Sequence, residues 1–119
     1  MPARLRLADP VELAEALGRF ASGERAPADL RLLTKHYLAA LETRAPGRSV
    51  EVRVPPYAAV QCVEGVRHTR GTPPAVVEMD AETWIDLATG ALAWPDAEHS
   101  ARVRASGERA DLTPYLPLG

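Results

Sequence analysis

The spacing of apolar and polar positions divides this chain into a helical first third and a remainder of short strands and helices. Leu13, Leu17, Phe20 and Ala21 recur at i, i+4, i+7 and i+8, which gives one apolar stripe on a helix. Asp9-Pro10-Val11-Glu12 predicts its start, with Asp9 as cap, Pro10 in the first helical position and Glu12 at the capping-box position. Ser22-Gly23 predicts its end. A second helix over Pro27 to Arg44 places Leu30, Leu33, Tyr37, Leu38 and Leu41 on one face and stops at Pro46-Gly47. Leu32, Ala39 and Ala40 widen that face, so this helix is expected to touch both a sheet and the neighbouring helix.

Beyond it the period changes. From Ser49 to Val54, Val50, Val52 and Val54 alternate with Glu51 and Arg53, the pattern of a strand with one wet face. Pro55-Pro56 cannot donate to a ladder and marks a corner leading into a strand over Tyr57 to Val63, where Ala58, Val60 and Cys62 share a face. The turn signal Glu64-Gly65 suggests a third, antiparallel strand over Val66 to Gly71. Pro73-Pro74 then precedes a strand from Ala75 to Met79.

Asp80 is placed to cap a helix over Ala81 to Thr89, and Gly90 to supply a left-handed exit. Ala81, Trp84, Ile85 and Ala88 share one face with Leu87 beside it. That face requires burial. Pro95 opens another short helix, Ala101 to Ala105 reads as a last strand ended by Ser106-Gly107, and Asp111 can cap a final turn displaying Leu112, Tyr115, Leu116 and Leu118. The order predicts an α+β fold, with N-terminal helices packed on a largely antiparallel sheet of about five strands.

Composition narrows the function classes. With 119 residues the chain is expected to be one domain, helical over residues 8–47 and sheet-based with C-terminal helices over 48–119. Basic and acidic residues number 14 and 16 without a block of either sign, which argues against nucleic acid and anionic membrane as partners. No apolar run approaches the ~20 residues of a membrane span. The opening residues lack a secretory apolar stretch and the single Cys62 has no internal partner, so a cytoplasmic location is expected.

Candidate chemistry is sparse. Cys62 lies in an apolar strand without an adjacent charge and reads as an inert core thiol. His36 lies off the main helical stripe and reads as a rim histidine. His36, His68 and His99 are too scattered for a metal triad, and neither a metal nor a cofactor is expected. His68 and Arg70 fall on the same side of the predicted third strand, where they can grip a carboxylate or phosphate headgroup. A polar strand end before Thr72-Pro73-Pro74 accounts for the same residues without a ligand. Asp96, Glu98 and His99 carry groups suited to acid/base work, but a solvated helix end explains them equally well, and the chain is not expected to be an enzyme.

Met79-Asp80, Thr89-Gly90, Ala97 and Ser106-Gly107 occur in an order and spacing that resembles the sterol carrier protein type 2-like family. VRVPP at Val52 to Pro56, HTRGTPP at His68 to Pro74 and SGERADL at Ser106 to Leu112 are similar to its short bacterial branch. The resemblance runs from about residue 48 to the end. It implies an apolar cavity holding a lipid, fatty-acyl or sterol-like molecule, carried without chemistry. The residues expected to line such a cavity are Trp84, Leu87, Leu92, Trp94 and Val103, with Leu112, Tyr115 and Leu116 as a lid, unless the same residues simply make the core. Two departures modify that expectation: Glu98-His99 stands where the family usually has paired aromatics, and Ala101 where a glycine is common. With six aromatic residues in all, the lining suits an acyl or mixed-polarity ligand better than a sterol, or is filled by side chains.

Energetics sharpen this choice. An empty apolar void costs roughly 24 cal/mol per Å³, so even ~300 Å³, the low end for ligand sites, would cost about 7 kcal/mol against the ~5 to 15 kcal/mol stability of a domain. A sizeable cavity must be occupied or collapsed. The alternative to a carrier is therefore a protein-interaction or regulatory domain with a filled cavity, related to the C-terminal domains of thiol-dependent maleylpyruvate isomerase-like proteins, its partner another protein or a second copy of the chain.

Overall fold

The computed structural model describes residues 5–65, 75–107 and 110–119. Its elements run α1 (Pro10–Ala21), α2 (Pro27–Arg44), β1 (Val50–Val54), β2 (Ala58–Cys62), β3 (Ala75–Met79), α3 (Ala81–Thr89), α4 (Trp94–His99) and β4 (Val103–Ser106), followed by a 3₁₀ turn over Thr113–Tyr115. This is an α+β fold. Among the described residues the sheet has four strands in the order β2-β1-β3-β4, rather than about five. The expected strand over Val66 to Gly71 lies outside the described residues.

Local chemistry starts each helix as the residue types dictate. The Asp9 carboxylate accepts from the Val11 and Glu12 amides, both at 3.1 Å, and Pro10 occupies the first turn of α1. Asp80 accepts from the Thr83 amide at 2.8 Å, and Gly90 ends α3 with φ 88°. α1 and α2 are stapled by Arg19, whose Nε and one terminal amine donate to the two oxygens of Asp29 at 2.8 and 2.9 Å. That hydrogen-bonded ion pair holds the Asp29 carboxyl below the usual carboxylate range.

β1 and β3 are the two interior strands, and β1 alternates between buried and wet positions along its length. It pairs antiparallel with β2 through a hairpin at Pro55-Pro56-Tyr57, with Val52 opposite Val60, and parallel with β3, with Val52 opposite Val77. β3 pairs antiparallel with β4, with Met79 opposite Val103. Val50, Val52, Val54, Cys62 and Val77 are fully buried on one face, while Arg53, Gln61 and Arg104 stand exposed on the other.

α2 and α3 close over the buried face. Leu33, Leu38, Leu41, Trp84 and Ile85 join the valines in one cluster, and the Trp84 indole N–H donates to the Thr34 carbonyl at 3.3 Å. The strand expected to reach Val63 stops at Cys62, because Val63 has φ +64° and leaves the ladder. Its amide donates to the Ala45 carbonyl at 2.6 Å and its own carbonyl accepts from the Ser49 hydroxyl at 2.6 Å, which holds it in that conformation. The last strand begins at Val103 rather than Ala101 for a similar reason. Ala101 has φ +60°, and the Ala101 and Arg102 amides donate back to the Glu98 and Ala97 carbonyls, a Schellman exit from α4 built on alanine.

Candidate functional site

The C-terminal segment determines the site. After β4 the chain returns to α3, where Leu112 is fully buried in the core cluster. Asp111 accepts from the Thr113 amide at 2.8 Å and from its hydroxyl at 2.5 Å, which starts the 3₁₀ turn. The following residues cross the C-terminal end of α3: the Leu118 amide donates to the Ala88 carbonyl at 2.8 Å, and Arg44 reaches the Pro117 carbonyl at 3.5 Å. Between this segment, α3 and the start of α4 lies a groove of about 230 Å³ lined by Leu87, Gly90, Leu92, Ala93, Trp94, Pro95, Thr113, Leu116 and Pro117. None of these side chains is charged.

Four of the eight residues marked in the sequence as ligand-binding meet here. Leu87 and Trp94 are buried at the base, and Leu92 and Leu116 are half-buried at the sides. The other four do not line this groove. Trp84, Val103 and Leu112 are packed in the core cluster, and Tyr115 lies half-buried against it on the 3₁₀ turn. His68 and Arg70, marked for a headgroup, lie outside the described residues. Sequence reasoning missed Gly90, Ala93, Pro95, Thr113 and Pro117 as lining; Gly90 and Pro95 were readable as the stop and start that force a loop here, whereas the return of the tail was not.

Trp94 is 3% exposed, yet its indole N–H has no hydrogen-bond partner among the described residues. A buried donor without an acceptor costs ~1–3 kcal/mol; the Thr34 hydroxyl, in the core beside Trp84, is likewise without a partner among the described residues.

A second groove of about 490 Å³ lies on the far side of the tail, lined by Leu17, Phe20, Ala21, Arg25, Tyr37, Asp86, Thr89, Ala91 and Gly119. Its charged groups are already engaged. The Arg25 guanidinium lies 3.8 Å above the Phe20 ring and donates to the Phe20 carbonyl at 2.8 Å, and Asp86 accepts from Arg102 at 3.3 Å.

Two further titratable side chains are perturbed by burial. Burial pushes the Cys62 thiol up to about 12, with the nearby Glu42 adding to the shift, so a nucleophilic thiolate is suppressed. Burial lowers the His36 pKa, and its Nδ1 accepts from the Ala8 amide at 2.9 Å. Among the described residues no helix is long and apolar enough to cross a membrane.

A family model described as bacterial SCP ortholog matches residues 20–118. The match extends from the end of α1 through the tail that forms the groove. No curated protein matches the chain.

Proposed function

Because this chain belongs to the bacterial SCP ortholog family, which is sterol carrier protein-like, we propose that it is a non-enzymatic binding or carrier module for an apolar small molecule. The observation that carries this reading is the uncharged groove walled by Leu87, Leu92, Trp94 and Leu116. Binding there is driven by removing apolar surface from water, worth ~25 cal/mol per Å², and no bond is made or broken. At about 30 Å³ for each water-sized group, the groove's 230 Å³ accommodates an alkyl chain rather than a sterol ring system. A cytoplasmic setting is supported by Cys62, a lone buried thiol.

The test is thermal unfolding in the presence of alkyl chains, acyl compounds and sterols, with native mass spectrometry of whatever co-purifies. A ligand at about 100 times its dissociation constant adds ~2.7 kcal/mol of apparent stability. Leu92→Asp, which puts a charge into the wall, should abolish that gain. No shift with any member of the panel would sink the proposal.

A second reading, an interaction domain with a filled interior, is supported by the packing of Trp84, Val103 and Leu112 into the core, which leaves the groove below the ~300 Å³ of ordinary ligand sites. A stable complex with a protein partner, combined with failure of the ligand panel, would favour it.

A further inference from the structure

The two grooves share the end of α3 and are parted by one segment. Around that helix end Leu87 and Gly90 line the near groove and Asp86, Thr89 and Ala91 the far one, while residues 116–119 cross between them. Among the described residues two hydrogen bonds hold 117–119 there: the Leu118 amide donates to the Ala88 carbonyl at 2.8 Å, and Arg44 donates to the Pro117 carbonyl at 3.5 Å, the long limit for such a bond. Leu116 and Leu118 are only half-buried, so little apolar surface opposes their release. Resting on the reading of the near groove as a ligand site, we propose that the two grooves are halves of one cleft, that residues 116–119 are a strap which lifts off α3 to join them, and that the joined cleft takes an uncharged long-chain amphiphile.

Size and polarity decide the class of occupant. At about 30 Å³ for each water-sized group, the near groove of 230 Å³ holds about eight such groups and the far one of 490 Å³ about sixteen. Together they exceed twice the ~300 Å³ low end of ordinary ligand sites. The seated strap blocks passage between them, because a Cβ added at Gly90 would already stand 3.5 Å from the Pro117 ring, which is van der Waals contact. Once it lifts, the floor is Ala88, Gly90 and Ala91, whose small side chains leave a path around the helix end. The near lining carries no charge and suits the end of an alkyl chain, whereas the far lining mixes Leu17 and Phe20 with Arg25, Asp86 and Thr89 and suits a polar head. That head is uncharged, because Arg25 already pairs with Glu82 at 3.4 Å and Asp86 with Arg102 at 3.3 Å, which leaves a buried charge of either sign without a ready partner.

The experiment compares octan-1-ol with hexadecan-1-ol, each delivered from cyclodextrin, on the full chain and on Leu118→Pro, which removes the amide bonded to Ala88. On the unaltered chain, one equivalent of hexadecanol is expected to give nuclear Overhauser contacts to Trp94 on the near side and to Phe20 and Tyr37 on the far side, and to speed hydrogen exchange at the Leu118 amide. Octanol should contact Trp94 and leave that amide protected. These readings need no variant to fold. A ligand that requires the open strap binds in proportion to the open fraction, so Leu118→Pro is expected to tighten hexadecanol about fivefold, the worth of one hydrogen bond, and to leave octanol no tighter. With octanol bound, hexadecanol contacts confined to one groove, no binding of hexadecanol, an unchanged Leu118 amide at saturation or equal tightening of both alcohols would overturn the strap while leaving the near groove a binding site. Failure of both alcohols to bind would overturn the groove reading and the strap together.

Discussion

Trp84 and Trp94 are the same residue type, both buried in one core cluster, on consecutive helices, and they differ in what else they touch. Trp84 is enclosed between α2 and the sheet and its N–H is bonded to the Thr34 carbonyl. Trp94 opens the six-residue α4, forms one wall of a groove and has an N–H without a partner among the described residues. Ring burial alone does not separate a core residue from a binding wall. The surface each one reaches does, because only Trp94 also lines the groove, while unpartnered polar atoms occur in both places, at Thr34 Oγ1 and at Trp94 Nε1.

Truncation should break the core side hardest. Trp84→Ala is expected to lower stability by ~3–5 kcal/mol, the usual cost of removing a buried aromatic, measured as a fall in urea midpoint. Trp94→Phe, which deletes an orphan donor and keeps most of the ring, should stay within about 1 kcal/mol of the starting protein. If the two variants lost equal stability, the distinction between core and wall would collapse. The tail offers the same contrast within a few residues. Leu112, fully buried, should lose ~2–5 kcal/mol on replacement by alanine, whereas half-buried Leu116 should lose only about 1 kcal/mol while its replacement weakens alkyl binding.

The distinction was not readable from spacing, and the reason is physical. Periodicity assigns residues to a face, and the α3 face carrying Trp84 and Ile85 was read correctly, as were the caps at Asp9, Asp80 and Gly90. What lies opposite a face depends on long-range pairing. The parallel registration of β1 on β3, with Val52 against Val77, leaves no local trace, and neither does the return of Leu118 to Ala88. Expecting Trp84, Val103 and Leu112 in the lining followed from their apolar character, which core and groove share. The bidentate Arg19–Asp29 pair was hidden too, since residues in separate helices announce no contact. The resemblance began near residue 48, but the family match reaches back to residue 20, because the α2 pattern is too generic to read by eye.

Two non-glycine residues with positive φ among the described residues, Val63 and Ala101, sharpen the comparison at smaller cost. Val63, at the end of β2, is 7% exposed and pinned through Ala45 and Ser49, so the backbone relief from Val63→Gly would be offset by lost burial. Ala101, after α4, is exposed and has no such compensation. The left-handed region costs an L-residue ~1–2 kcal/mol, and glycine's extra unfolded-state freedom returns part of that. Ala101→Gly is therefore expected to raise stability by up to about 1 kcal/mol, read as a higher urea midpoint. This is the position where the resembled family commonly has glycine. A lowered midpoint would mean that the Schellman exit of α4 does not form with this geometry.

The smallest effect separates the two regions by pH. The groove lining has no titratable side chain, so the affinity of a neutral alkyl ligand should stay constant between about pH 5.5 and 8. Stability should not. Burial lowers the His36 pKa from its ordinary 6.5, so the unfolded chain takes up this proton before the native one does. By linkage, stability rises with pH wherever the unfolded state binds more protons. The contribution from His36 is thus complete above 6.5 and declines as pH falls through 6.5 toward the lower native value. Protonation of Nδ1 would also break the bond it accepts from the Ala8 amide. Urea unfolding at a series of pH values should show this acid-side decline, and His36→Gln should flatten it without altering ligand affinity. An unchanged slope in His36→Gln, or an affinity that follows the stability curve, would show that core and groove titrate as one unit.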